Sequence, residues 1–136
     1  MIAKGLNCLN LQNGNPCNHC ANCELINTGT SLDYVEIDAA SHTGVDNIRE
    51  EIIDKVLYPP TALRKKIYVI DEVHMLSKGA FNALLKTIEE PKSNVCFIFA
   101  TTEIHKVPDT IISRCQVFNY RKVKNDAMVQ HLLHIA

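Results

Sequence analysis

An α/β fold organised around a parallel sheet is the expectation for this chain of 136 residues, and three features of the sequence carry it. Short apolar runs rich in β-branched and aromatic residues recur along the chain. Segments with apolar residues at helical spacing lie between them. The runs stand roughly thirty residues apart, the interval of a strand-helix-strand unit. Parallel neighbours need a crossover of that size, because a tight turn joins only antiparallel strands.

Taken in order, residues 1–7 pass through apolar and small residues to Gly5 without a start signal, and read as the tail of a helix. Residues 8–31 hold four cysteines, many asparagines and glycine and proline breaks, the composition of a compact, loop-rich insert. Residues 34–38 read as a strand. Ser41 and Thr43 offer caps to a helix from about Val45 to Val56, whose Val45, Ile48, Ile52, Ile53 and Val56 fall on one face. Pro59-Pro60 closes that unit. Residues 67–70 form a second, buried strand. Ser77 caps a helix with Ala80, Phe81, Leu84, Leu85 and Ile88 inward, and Pro91 stops it. Residues 95–100 read as a third strand, 110–113 as a short helix after Pro108, 117–120 as a fourth strand, and the chain from Asn125 as a last helix.

With 46% apolar and 21% charged residues and no biased tract, the chain has the means to bury a core. Its formal net charge of −1 excludes a strong unspecific attraction to nucleic acid or an anionic membrane. Any such contact must come from local patches. Arg64-Lys65-Lys66 and Arg121-Lys122 with Lys124 are two, and both read as solvated charges at loops and strand ends. No apolar run has the length of a membrane span and the first residues lack a signal-peptide pattern, so a cytoplasmic location is expected. Thiols stay reduced there, which turns the six cysteines toward metal or packing rather than disulfides.

Asp71 and Glu72 end the second strand, at the edge where open α/β sheets bind ligands. In nucleoside-triphosphate hydrolases of the P-loop type, a first acid at this place holds Mg²⁺ and a nearby acid polarises the attacking water. Asp71 suits the metal role and Glu72 the base role. By themselves the two acids better suit a strand running out into a charged loop. Thr101 and Thr102 follow the third strand at the same sheet end, where a hydroxyl can meet water or a phosphate oxygen. Threonine is also ordinary at a strand end.

The stretch IYVIDEVHMLSKGAFNALLKTIEEP, Ile67 to Pro91, closely resembles the second nucleotide motif and following helix of the bacterial clamp-loader ATPases of DNA polymerase III, the gamma/tau kind most of all. The resemblance implies a partial three-layer α/β/α P-loop (AAA+) domain over 1–120 and the beginning of a helical lid over 121–136. It places Thr102 at the position called sensor 1, gives His74 no acid-base role, and likens Arg114 in Ser113-Arg114-Cys115 to an arginine finger. Such an arginine faces the nucleotide of a neighbouring subunit, where its planar cation stabilises charge on the transferred phosphoryl group. Without the resemblance, Arg114 reads as half of a structural salt bridge. Cys96 and Cys115 read as packing residues.

Cys8, Cys17, Cys20 and Cys23 stand in a C-x8-C-x2-C-x2-C pattern. Four closely spaced thiolates close a tetrahedral site, as structural Zn²⁺ requires, and His19 is a competing ligand that the four do not need. The same pattern occurs as a zinc-binding insert (8–23) in the family that the chain resembles.

The sequence contains no glycine-rich loop ending in Gly-Lys-Ser/Thr, whose backbone N–H groups and lysine cradle phosphates. The resemblance places that loop ahead of Met1, so the 136 residues alone are expected neither to bind ATP tightly nor to hydrolyse it, and to expose sheet edges prone to self-association. The family implies loading of the sliding clamp onto primer-template DNA, driven by ATP and Mg²⁺, with delta, delta-prime and further gamma/tau subunits as partners. Thr43, Arg49 and Lys78, at helix starts or first turns, are candidates to face DNA phosphates. Two other readings stand beside this one. A delta-prime-like subunit would share the zinc insert and the arginine without hydrolysis, against which the Asp71-Glu72 pair argues. A stand-alone zinc-binding interaction module is the other.

Overall fold

A computed structural model describes residues 1–42 and 44–136. Three strands, β1 (Tyr34–Asp38), β2 (Lys66–Asp71) and β3 (Val95–Phe99), form a parallel sheet in the order β1-β2-β3. Asp38 is level with Asp71, and Ile70 with Phe99, so all three strands finish at one end. The central strand is the most apolar, and Ile67, Tyr68 and Ile70 are buried. Its first residue departs from expectation. Lys66 is not a solvated charge: it is buried, and its Nζ donates to the Lys55 carbonyl at 2.7 Å. The long methylene stem lies inside while the ammonium finds a backbone acceptor. Arg64 is exposed and Lys65 half-buried, and Arg121, Lys122 and Lys124 are exposed.

The main core lies between one face of the sheet and a helical layer. Ile37, Tyr68, Ile70 and Val95 meet Ile48, Ile52, Val56, Phe81, Leu84, Ile88 and Ile111. Each such large apolar side chain contributes roughly 1.5–3 kcal/mol when withdrawn from water. The helix expected over 45–56 has the right span but a wider middle: α3 (Val45–Ile48) runs into a π-helical stretch (Arg49–Ile53) and then α4 (Asp54–Val56). Its N-cap is Gly44 with no side-chain cap. Ser41 instead donates to Asp38 Oδ2 at 3.3 Å, and Thr43 lies outside the described residues.

Helix α5 (Lys78–Glu89) starts as expected, with Ser77 Oγ accepting from the Ala80 N–H at 3.1 Å and Ala80, Phe81, Leu84 and Ile88 buried. Gly79 has a packing reason: a Cβ there would lie 2.6 Å from Val45 Cγ2, so the missing side chain lets α5 approach α3. Short α6 (Asp109–Ile112) packs against α5 and buries Ile111 in the same core. The last helix, α7 (Asn125–Ile135), is exposed along its whole length.

Residues 117–120 are not a fourth strand. They run without a ladder partner, with Phe118 and Tyr120 exposed. Alternating apolar residues make a strand only when a neighbouring backbone takes up their N–H and C=O groups, and no described strand does so. The insert is less loop-like than its composition: α1 (Ile2–Asn7) precedes it and α2 (Ala21–Thr28) lies within it, ended by Gly29 at φ 66°. Between them Asn13 and Gly14, at φ 49° and 81°, turn the chain between the bridged Gln12 and Asn15. Asn-Gly suits a two-residue turn of that hand. Buried Asn7 fastens this unit to the sheet, its Oδ1 accepting from the Lys65 N–H at 2.8 Å and its carbonyl accepting from Asn22 Nδ2 at 2.8 Å.

Candidate functional site

The parallel register carries the acids of β1 and β2 to one edge, but the two strands use them differently. Asp38 turns back on its own loop, accepting from the Ala40 N–H at 2.9 Å and from Ser41 Oγ. Asp71 stays exposed. Only its Oδ1 is engaged among the described residues, by the Glu72 N–H at 2.9 Å. That leaves Oδ2 open toward solvent, a carboxylate oxygen fit to hold a cation. Glu72 has φ 48° and ψ 44°, a left-handed conformation that costs a side-chain-bearing residue about 1–2 kcal/mol. The turn swings the Glu72 side chain off the strand line toward the loop after β3.

There it meets the threonines. Thr102 Oγ1 donates to Glu72 Oε2 at 3.3 Å, so the acid and the hydroxyl singled out from the sequence are in direct contact across the sheet end. Thr101, one residue earlier, faces inward instead: its Oγ1 lies 2.8 Å from His74 Nδ1 and accepts from the Glu103 N–H at 3.0 Å. The His74 side chain is only 7% exposed, and its two ring nitrogens lie 3.3 Å from Glu72 Oε2 and 3.4 Å from Glu103 Oε2. The Lys106 ammonium, hydrogen-bonded to Glu103, holds the latter's carboxyl below its usual range despite the opposing effect of partial desolvation. Glu103 was not legible as a site residue. Nothing in a single acid after two threonines signals that the loop folds back over a histidine 29 residues away.

Arg114 is not brought to this cluster. Its Nη2 lies 2.7 Å from Glu89 Oε1 at the end of α5, and its Nη1 donates to the Thr110 carbonyl at 2.6 Å. Arg49 opens the π-helical stretch and Lys78 opens α5. Both side chains are exposed, and the two elements pack on one another.

The cysteines form the second site. The sulfurs of Cys8, Cys17, Cys20 and Cys23 all lie within 4.8 Å of one another, with Cys8 and Cys23 buried. His19 is outside this group: its Nδ1 sits 2.6 Å from the Cys17 carbonyl. Backbone N–H groups of Asn10 and Cys17 point at Cys8 Sγ, that of Cys20 at Cys17 Sγ, and that of Leu9 at Cys20 Sγ, at 3.3–3.5 Å. Donors aimed at sulfur favour thiolates. The Leu9 N–H foremost lowers the Cys20 thiol to about 6, and the Cys17 N–H foremost lowers Cys8. Burial pushes Cys23 the other way, to about 12. A bound cation would reverse that, because a coordinating thiol is deprotonated outright. Four convergent sulfurs with a shell of N–H donors fit a closed metal centre.

No described helix is long and apolar enough to cross a membrane. Comparison with known proteins gives a consistent result. The family described as "DNA polymerase III, delta subunit" matches residues 1–124. The DNA polymerase III subunit tau of Bacillus subtilis is 55% identical over 129 residues, 95% of this chain and 23% of that protein. The tau/gamma subunit of Haemophilus influenzae is 50% identical over 135 residues, 99% of this chain and 20% of that protein. Among solved structures, a DNA polymerase III gamma subunit-related protein of Thermotoga maritima superposes with a TM-score of 0.60 at 31% identity, over 71% of this chain and 32% of that one. The α/β fold with its parallel sheet is thus shared with a gamma-related protein, and the chain spans roughly a fifth to a third of these proteins. On the match over residues 1–124, and on relatives named gamma or tau across nearly all of its length, the chain belongs to the DNA polymerase III delta-subunit family.

Proposed function

We propose that these residues belong to the ATPase motor subunit of a DNA polymerase III clamp loader, which uses ATP to place the ring-shaped sliding clamp on primed DNA. The observation that carries the reading is the meeting of Glu72 and Thr102 beside Asp71, at the carboxyl end of a parallel sheet. Asp71 would hold Mg²⁺, which would supply charge neutralisation for the phosphates. Glu72 takes a proton from the attacking water at Oε1, the oxygen free of hydrogen bonds among the described residues. Thr102 keeps Oε2 oriented and lies where a γ-phosphate oxygen or that water would be sensed. The four convergent cysteines would hold a structural zinc, which would keep residues 8–28 folded against the start of β2.

Delta, delta-prime and further gamma/tau subunits, the clamp and primer-template DNA are the partners, in the bacterial cytoplasm. For Arg114 the ion pair with Glu89 favours a second role, a strut between α6 and α5, beside that of a finger for the neighbour's nucleotide.

Replacing Glu72 by Gln in the full-length subunit tests the reading. ATP hydrolysis should fall by roughly 10²–10⁴-fold, the span of general-base catalysis, with nucleotide binding kept. Undiminished turnover would sink it.

A further inference from the structure

The cluster around His74 joins two segments that the chemistry needs to hold together. Glu72 belongs to the turn after β2, Thr102 to the loop after β3, and the one direct bond between their side chains is a 3.3 Å contact exposed to solvent. Water competes with such a contact. Beneath it sits a side chain 93% shielded from water, the His74 imidazole, with Glu72 Oε2 at 3.3 Å from Nδ1, Thr101 Oγ1 at 2.8 Å from the same nitrogen, and Glu103 Oε2 at 3.4 Å from Nε2. Thr101 in turn accepts from the Glu103 N–H at 3.0 Å, and Glu103 is gripped by Lys106 at 2.8 Å. His105 approaches the other Glu103 oxygen at 4.0 Å. The Val73 N–H, between Glu72 and His74, donates to the Ala100 carbonyl at 3.0 Å. Besides the Thr102–Glu72 contact, the β2 turn and the β3 loop are therefore joined, among the described residues, by one backbone bond and one buried ring with polar partners on both sides. The rest of this cluster lies within the β3 loop.

We propose that His74 is a positioning residue that locks the Glu72 carboxylate to the loop carrying Thr102. The inference rests on the role proposed for Glu72, since a held carboxylate matters only if that acid does chemistry. The ring fixes Oε2 from below while Thr102 holds it from above, which leaves Oε1 as the oxygen presented to water. A base free to swing would spend much of its time out of line, and misplacement on the scale of 1 Å lowers rates by about a hundredfold. Glu103 is the anchor at the far end of the ring, and through Thr101 the bridge reaches the residue next to Thr102.

The experiment is steady-state ATP hydrolysis by the full-length subunit in its assembled complex. His74→Leu removes all three polar ring contacts, Glu103→Gln removes the carboxylate charge of the half-buried anchor without touching the core, and His74→Gln keeps a donor. His74→Leu should lower kcat by about tenfold or more with KM for ATP within about twofold, Glu103→Gln by severalfold with the same split, and His74→Gln should recover part of the loss. A role in packing alone predicts the reverse order, with the Leu variant active and Glu103→Gln silent. If Glu72→Gln abolishes hydrolysis while His74→Leu and Glu103→Gln leave kcat intact, the positioning role falls and the function stands. If Glu72→Gln has no effect, both fall together.

Discussion

Asp33 shows how a residue remote from the Glu72 cluster sets the sheet. The side chain is buried just before β1, and its carboxylate accepts from the N–H groups of Thr61, Ala62 and Leu63 at 2.7–2.9 Å, fixing the turn that feeds β2. Desolvation pushes its carboxyl up, but the donors of Leu63, Ala62 and Thr61 outweigh it and the net result is a lowered pKa. A depressed folded-state value means that the ionised form stabilises the fold above the unfolded pKa, near 4, and that this contribution fades as pH falls through the lower folded value. Asp33→Asn should therefore cost about 2 kcal/mol in denaturant unfolding at neutral pH. The gap to the parent should close in acid below about pH 4. A gap that persists in acid would show that shape rather than charge does the work. The same scale divides what was legible at the site. Asp71 and Glu72 stood out through the resemblance of the whole stretch from Ile67 to Pro91, since two acids after an apolar strand by themselves also suit a charged loop. The left-handed Glu72 did not, since only Gly or Asn advertises that conformation, and neither did Glu103, whose partner depends on a loop path.

Among the elements, the cysteine insert was readable because thiolate spacing constrains geometry locally, over sixteen residues that need no distant partner. Its helix α2 was hidden by a composition that reads as loop, although Gly29 at its end and Asn13-Gly14 before it are local turn signals. The insert has few buried apolar residues of its own: Cys8 and Cys23 are its buried sulfurs, and Asn7 and Asn22 supply its anchoring bonds. A bound metal should therefore supply much of its folding energy. Full-length protein should carry about one zinc per chain, and chelation should open residues 8–28 to protease while leaving the sheet intact. Protein that is zinc-free yet equally resistant would refute the metal's structural role. The strand expected over 117–120 failed for the opposite reason. Its pattern is local, but a strand exists only as a pair, and no described neighbour completes it. The π-helical widening at Arg49–Ile53 likewise has no sequence mark that we can identify.

At the scale of the whole molecule, the helical layer places Arg49 and Lys78 on elements packed together, both exposed, on a chain whose net charge of −1 offers no general attraction to DNA. If these two meet phosphates, Arg49→Ala with Lys78→Ala in the full-length subunit should flatten the dependence of primer-template affinity on salt by a slope of roughly 1 to 2. An unchanged slope removes both from the DNA face. Gly79 belongs to the same interface, because the closeness of α5 to Val45 brings the two helix starts side by side. What the sequence determined by itself was whatever depends on spacing along the chain: three strands with helical crossovers, a parallel sheet, four convergent thiols, and two acids at a strand end. Tertiary structure alone decided which oxygen of Glu72 is tied, that Thr101 turns inward while Thr102 turns outward, that Lys66 is buried, and that residues 117–120 stay unpaired. Those outcomes depend on which distant segments meet, and contact between residues thirty positions apart is settled by packing of the whole core rather than by any local pattern.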